Sequence, residues 1–247
     1  MPNPSPSRIA SSLLAQTFRF IPSSRRFDAA MAASRALRPL IRRSRFWRDR
    51  RQLGTDGVAE TSLDLLLTAL TRCGVTFQPR IDVRQPGGTD WRDNGRPTLI
   101  IGPHRMLLRL VLCHLTENGH VPPVGVSVEP IEIIPGTRRS IETLTPGPDL
   151  FFRIRRYLLE GRTVCAMIDR ADEERRTIRA GTARTMLISD AVVRLALRCD
   201  AQIVFMSAHI DGDSVALTLD ALPEANDVES VIASFAEFCA AQPQPRD

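Results

Sequence analysis

The sequence predicts an α/β protein with a mostly parallel central sheet, flanked by helices and preceded by a basic N-terminal helical arm. From residue 55 onward, short apolar runs alternate with segments of helical periodicity, which is typical of a parallel sheet with crossover helices. The charge is unevenly distributed. Residues 1–54 contain twelve arginines against two acids, a net charge of +10, and residues 55–247 contain 21 arginines against 26 acids, a net charge of −5. This asymmetry predicts an anionic partner for the first segment.

The arm, residues 1–54, is predicted to be helical. Apolar residues recur at helical spacing in 7–21, and 25–37 has the composition of a second helix, which Pro39 should end or kink. The next stretch, 39–53, combines apolar side chains with six arginines. Two interpretations stay open: a helix lying on an anionic membrane, or a helix packed on the body with a solvated basic face. An arginine- and serine-rich, acid-poor arm also fits an organelle transit peptide.

The body, residues 55–241, is predicted as one α/β domain, and residues 242–247 as a tail. Its helices are predicted at 59–74, 105–119, 148–161, 185–200 and 227–241. Its strands are predicted at 97–102, 123–129, 163–169, 201–210 and 213–220, with the last strand at an edge of the sheet. The sequence has no glycine-rich nucleotide loop, and its four histidines are scattered. We therefore expect neither a bound cofactor nor a metal.

Cysteine usage and hydropathy bear on the compartment. The five cysteines are odd in number, widely spaced and without a CxxC motif, which favours a reducing compartment over a disulfide framework. No apolar run approaches the length of a bilayer span, so we do not expect a single helix to cross the membrane. These features predict a cytoplasmic protein that associates peripherally with the inner membrane through its basic arm.

The segment "TLIIGPHRMLLR" places His104 between a predicted buried strand and a predicted helix. Side chains at the carboxyl ends of parallel strands are where α/β proteins build their sites. The amino end of the following helix disfavours the imidazolium form, so His104 is suited to act as a neutral base. His104 is therefore the candidate catalytic residue.

Three ordered blocks resemble the lysophospholipid acyltransferase superfamily, and most closely its lipid A (lauroyl/myristoyl) acyltransferase branch. They are "TLIIGPHRMLLR", "LLEGRTVCAMIDRADEERR" and "DAVVRLALRCDAQIVFMSAHIDGD", which follow a basic amphipathic N-terminal region. The resemblance implies an acyltransferase-like fold. It also implies transfer of a fatty acyl group from a thioester of coenzyme A or a carrier protein to a hydroxyl of a lipid or glycolipid acceptor. The thioester would be a co-substrate and not a resident cofactor.

The family pairs its catalytic histidine with an acid five positions later, and here that position holds Arg109. An arginine has no acceptor and cannot orient the imidazole as a carboxylate does. Three alternatives stay open. Another carboxylate, Glu117 or Asp169, replaces the acid; the site is dismantled and the protein is an inactive homologue that binds lipid or acts as a scaffold; or Arg105, Arg109 and Thr116 form only the solvated stripe of an ordinary helix.

Substrate contacts are predicted at the same edge of the sheet. Asp169 ends a predicted strand and Arg170 follows it, in the charged stretch "MIDRADEERRTIRAG". We expect these two residues, with Arg105 and Arg109, to bind substrate, because a guanidinium forms strong paired hydrogen bonds with phosphate. No nucleic-acid partner is expected, since the basic residues are concentrated in the arm and the body has no helix-turn-helix or RNA-binding signature.

Overall fold

A computed structural model describes residues 6–44, 57–86, 95–103, 107–117, 124–127, 140–169, 176–180, 184–223 and 227–243. The helices in these ranges are α1 (Pro6–Arg19), α2 (Ser23–Arg43), α3 (Val58–Arg72), α4 (Leu108–Glu117), α5 (Leu150–Leu159), α6 (Ala191–Arg198) and α7 (Val228–Ala241). The strands are β1 (Ile81–Arg84), β2 (Thr98–Gly102), β3 (Val124–Val126), β4 (Thr143–Leu144), β5 (Thr163–Met167), β6 (Arg176–Ala180), β7 (Arg184–Ile188), β8 (Gln202–Asp211) and β9 (Ser214–Ala221).

Seven of these strands form one mixed sheet in the order β1-β9-β8-β2-β5-β3-β4. Strands β8, β2, β5, β3 and β4 are parallel, β9 is antiparallel to β8, and β1 is parallel to β9. Strands β6 and β7 form a separate antiparallel pair. The predicted α/β class, with a mostly parallel sheet between helices, is confirmed.

Helices cover both faces of the sheet. In β2 every residue is buried, and alternate side chains enter different cores, Ile100 on one face and Leu99 and Ile101 on the other. Side chains of α1 to α4 pack on the face of Ile100, and side chains of α5 to α7 pack on the face of Leu99. A strand covered on both faces is continuously apolar, which is why "TLIIG" reads as a buried strand.

The N-terminal helices contribute side chains to this core. Phe18 of α1 and Phe27 and Met31 of α2 are almost fully buried in the cluster that also contains the leucines of α3. The Arg26 guanidinium donates hydrogen bonds to backbone carbonyls, including that of Thr76 at 3.0 Å. Arg35 pairs with Asp213 in the β8–β9 turn at 2.6 Å. Helices α1 and α2 therefore pack on α3 as a further layer, which α2 contributes to as far as Leu37.

Two details of the predicted secondary structure are wrong. Residues 185–188, predicted as the start of a helix, lie in β7, because "TMLI" pairs with β6 before the helix begins at Ala191. The strand at 213–220 is not an edge strand, because β1 pairs with its outer side. Of the two effects predicted for Pro39, an end of the helix is excluded, because α2 continues through Pro39 to Arg43.

The five cysteines are free thiols, and four of them are buried. Burial raises the pKa of Cys165, in β5, to about 12. Burial, followed by the neighbouring Glu117 carboxylate, also raises the pKa of Cys113, in α4, to about 12. Among the described helices, none has the length and apolar character needed to span a bilayer.

Candidate functional site

The candidate site lies at the carboxyl edge of the parallel strands. Strand β2 is at the centre of the sheet and ends at Gly102, two residues before His104. Gly102 packs closely against β8, since a Cβ atom added there would lie 2.7 Å from Met206 Cγ and 2.8 Å from the Met206 carbonyl oxygen. Such distances are below van der Waals contact. At Gly102 the chain leaves the sheet in close contact with β8 and continues toward His104. This close approach requires a residue without a side chain at position 102.

Asp169 lies beside the same edge. The Ile168 N–H group donates a hydrogen bond to the Gly102 carbonyl at 3.4 Å, and the Ser189 N–H group donates to the Ile168 carbonyl at 2.8 Å. The first bond belongs to the β2–β5 pairing at its last pair, Gly102 and Met167, and the second joins the end of β5 to the residue after β7. Asp169 is partly exposed at this point. The structure thus brings the predicted site residue Asp169 to the place where the chain continues toward His104.

Three of the predicted site residues, His104, Arg105 and Arg170, lie outside the described residues. Their roles stay predictions. The described chain reaches His104 and Arg105 from both sides, with Pro103 directly after β2 and Leu107 directly before α4.

Arg109 is in the first turn of α4 and is half-buried. Its Nη1 donates a hydrogen bond to Thr68 Oγ1 of α3 at 3.4 Å. Thr116, on the same helix, is 1% exposed and donates to the Leu112 carbonyl. The prediction of a solvated position is therefore wrong for Thr116, and Arg109 is in contact with α3, while Arg105 lies outside the described residues. The periodicity of α4 alone does not predict this contact with α3.

Of the two carboxylates considered as replacement acids, Glu117 lies at the wrong end of α4. It is nine residues beyond Leu108, which corresponds to about 13 Å along the helix axis. It hydrogen-bonds to the Cys113 side chain within its own helix. Asp169 is the candidate that shares the carboxyl edge with the end of β2.

A stripe of polar side chains on α3 was not predicted. Glu60 and Asp64 are 8% and 2% exposed, and they precede Thr68 by two turns and one turn on the same face of the helix. Arg109 contacts this face through Thr68. Glu60 and Asp64 are thus buried carboxylates on the face of α3 that Arg109 contacts, about 12 Å and 6 Å along the helix axis from Thr68. The i, i+4 spacing of the two acids was the available signal, but an isolated helix with that spacing is usually exposed.

Two polar residues of β8 lie past the end of β2: Ser207, which was not predicted as a neighbour of the site, and His209, whose position at the end of a predicted strand already allowed it to point into a site. Because Ile101 pairs with Phe205, β8 continues beyond the end of β2 and carries Ser207 and His209 past it. Both are buried, with 0% and 6% of their surface exposed. They alternate with Met206 and Ala208, so they lie on the face covered by α5 to α7. Because "VFMSAHI" has the composition of a core strand, the sequence contains no signal for Ser207.

Comparison with known proteins assigns the chain to no family, so its class is the one that the fold defines, α/β with a mixed sheet. The sequence matches no protein-family model, and no curated protein is significantly similar to it. Within the described residues, no group of three or more histidine, cysteine or acidic side chains is placed to hold a metal ion.

Proposed function

We propose that the protein transfers a fatty acyl group from a thioester of coenzyme A or a carrier protein to a hydroxyl of a lipid or glycolipid acceptor at the membrane surface. The observation that carries this proposal is the convergence of Asp169 with the end of β2, which leads directly to His104. A histidine and a carboxylate at one edge of a sheet form a general-base pair. The resemblance of the three sequence blocks to lipid acyltransferases supplies the reaction class.

In this reaction His104 accepts the proton of the acceptor hydroxyl while the hydroxyl oxygen attacks the thioester carbonyl carbon. The carbon–sulfur bond then breaks, and the proton passes from His104 to the departing thiolate. Asp169 serves as the replacement acid, accepting a hydrogen bond from the second ring nitrogen and stabilising the imidazolium. Arg105 and Arg170 bind the phosphates of the donor.

Arg109 has a different role from the acid that it replaces. It is half-buried and donates to Thr68, on the face of α3 that carries Glu60 and Asp64. We assign it to fixing the first turn of α4 against α3, with its remaining donors available to an anionic substrate group. A cation there also disfavours the imidazolium of His104, which makes an orienting carboxylate more important for turnover.

Membrane association belongs to the same proposal, with the protein peripheral on the cytoplasmic side of the inner membrane. The net charge of +10 in residues 1–54 supports it. At the end of α2, Leu40 is 64% exposed beside the exposed Arg42 and Arg43. Deleting residues 1–54 would remove buried core side chains, so the sharper test replaces Leu40 by Ser and both arginines by Gln. Binding to anionic vesicles should weaken, without loss of the folded state.

A second candidate function is a catalytically inactive homologue that binds lipid or acts as a scaffold. The observation that favours it is Arg109 itself, because the contact with Thr68 gives the residue a structural position and no role in orienting an imidazole. The two candidates differ in whether the protein consumes a thioester.

The deciding experiment measures thioester consumption by wild type, His104→Ala, Asp169→Asn and Arg109→Glu. For the enzyme, wild type turns over, and His104→Ala and Asp169→Asn each lower turnover, the latter by about 10⁴-fold as for the loss of an orienting acid elsewhere. Arg109→Glu also lowers turnover, because the contact with α3 is lost. Asp200→Asn is the matched control, since Asp200 is exposed before the start of β8, at the opposite edge of the sheet.

The inactive homologue predicts a different pattern. Wild type then neither transfers nor hydrolyses thioesters, and His104→Ala changes no rate. Arg109→Glu restores some thioester hydrolysis, because a carboxylate again accepts the ring proton. Strong wild-type turnover that survives His104→Ala would defeat both candidates.

A further inference from the structure

The outer face of α5 exposes apolar side chains that a helix of a sheet protein ordinarily buries. Phe151, Phe152 and Leu159 are 47%, 69% and 58% exposed. The inner face is buried through Ile154 and Leu158. Isolated exposed apolar residues are normal, but two adjacent phenylalanines and a leucine on one short helix form a patch.

Basic side chains interleave with this patch. At 100° per residue, the order around the helix is Phe151, Arg155, Leu159, Phe152 and Arg156, which together span an arc of about 140°. Arg155 and Arg156 are both exposed. The Arg156 guanidinium lies 3.7 Å from Glu160, an exposed pair that contributes little. The face therefore combines aromatic and aliphatic surface with positive charge.

The beginning of α5 lies near the edge of the sheet that carries the candidate site. Helix α5 ends at Leu159, and Gly161, with φ of 73°, closes the turn that starts β5 at Thr163. A helix that turns directly into a strand and packs against it runs antiparallel to it, as crossover helices do. Phe151 and Phe152, at the beginning of α5, therefore lie toward the carboxyl end of β5, where Asp169 follows.

We infer that the outer face of α5 (Phe151, Phe152, Arg155, Arg156 and Leu159) is a second membrane contact, which binds the surface of an anionic bilayer. This inference rests on the membrane role proposed above and adds a surface to it. Phenylalanines enter the headgroup and acyl boundary while arginines pair with lipid phosphates. The contact lays α5 along the bilayer, with Phe151 and Phe152 at the end of the helix that lies nearer the carboxyl edge of β5.

The size of the patch favours a membrane over a protein partner. The three apolar side chains together expose roughly 300 Å². A stable protein interface buries about 800 Å² per partner, more than twice this exposed apolar area. A bilayer requires no complementary shape, so a convex helix with alternating phenylalanine and arginine suits it.

The test is co-sedimentation of the full chain with vesicles of phosphatidylcholine alone and with added phosphatidylglycerol. Phe151→Ser with Phe152→Ser should lower binding to the anionic vesicles by roughly tenfold or more, since two partly buried aromatic rings leave the lipid. Arg155→Glu should lower it by about tenfold at low salt, and less at high salt. Val83→Ser, on the edge strand β1, and Arg198→Glu, at the end of α6, are controls of matched chemistry and should bind as wild type does.

The outcomes separate this inference from the proposed function. Wild-type binding that is unchanged in the α5 variants overturns the α5 contact and leaves the end of α2 as the membrane site. No binding by wild type overturns every membrane role, while turnover of a soluble thioester still reports on acyl transfer. A wild-type dimer in size-exclusion chromatography with light scattering, made monomeric by Phe151→Ser with Phe152→Ser, would assign the face to a second copy of the chain and overturn the inference. Near-ultraviolet circular dichroism checks that each variant is folded.

Discussion

Helices α3 and α5 depart from the amphipathic pattern in opposite directions. In α3 nearly every side chain is buried, including the carboxylates of Glu60 and Asp64. In α5 the inner face is buried but the outer face exposes Phe151 and Phe152. The difference lies in what covers each helix. Helix α2 packs along α3 and adds a layer over it, whereas α5 packs inward on β5 and α6.

The contrast gives each departure a different meaning. A polar side chain inside α3 is covered by protein, so it needs polar partners within the fold, as Thr68 has in Arg109. An apolar side chain outside α5 meets solvent, so it marks a surface that the folded chain leaves available. Stability should therefore depend strongly on α3 and little on the outer face of α5. Binding to anionic vesicles should depend strongly on the outer face of α5 and little on α3.

The largest difference is expected from side-chain truncation. Leu67→Ala, in α3, should lower the free energy of unfolding by about 3 kcal/mol, because it leaves a cavity at a fully buried position. Phe152→Ser should change it by no more than about 0.5 kcal/mol, as for other exposed positions. Guanidinium denaturation followed by circular dichroism measures both. Equal losses would show that the outer face of α5 is packed.

An intermediate effect is expected on the inner face of α5. The Tyr157 hydroxyl hydrogen-bonds to the Glu142 carboxylate, and the Arg162 guanidinium lies 4.3 Å from the centre of the ring. Tyr157→Phe keeps the ring and removes the hydroxyl, so it should cost about 1 kcal/mol of unfolding free energy. Adding Glu142→Gln should cost less than the sum of the two single changes, since both remove the Tyr157–Glu142 bond, and the remaining loss reports the partly exposed pair of Glu142 with Arg162 at 3.0 Å. Fully additive losses would mean that the residues act independently.

The smallest effect is a pH dependence of the same contact. The Tyr157 hydroxyl, followed by Arg162, lowers the pKa of Glu142 from its ordinary value of 4.5. A lowered pKa in the folded state stabilises the protein above the ordinary value, and the contribution is lost as pH falls through the lowered pKa. The stability difference between wild type and Glu142→Gln should therefore shrink from pH 7 to pH 3. It should stay below about 1 kcal/mol, because Glu142 is solvent-exposed and screened. A difference that grows on acidification would contradict the assignment.

Local pattern was sufficient for the core of the fold. The apolar runs that became β2, β5 and β8 are strands buried on both faces, and their length separated them from helices. The pattern failed where pairing decided the outcome. Residues 185–188 became β7 because β6 lies opposite them, and β9 lost its edge position because the short strand β1 pairs with it. Neither partner is visible within the segment itself.

The site was predictable to the same degree. The position of Asp169 at the end of a strand followed from the sequence, and its proximity to the end of β2 followed from parallel pairing. The surroundings of Arg109 did not, because they depend on α3 packing beside α4. The burial of Ser207 and His209 beyond the end of β2 depends on the register between β8 and β2, which no single segment specifies.

Alkylation of the buried thiols reports which part of the folded chain opens. Thiolates, and not thiols, attack alkylating reagents, and a pKa of about 12 leaves Cys113 and Cys165 almost entirely protonated at neutral pH as well as covered by protein. Cys113 lies in α4, just after the candidate site, and Cys165 lies in a central strand. Peptide mapping after a pulse of iodoacetamide thus separates two events: labelling at 113 alone reports local release of α4, and labelling at both positions reports molecules whose sheet has opened.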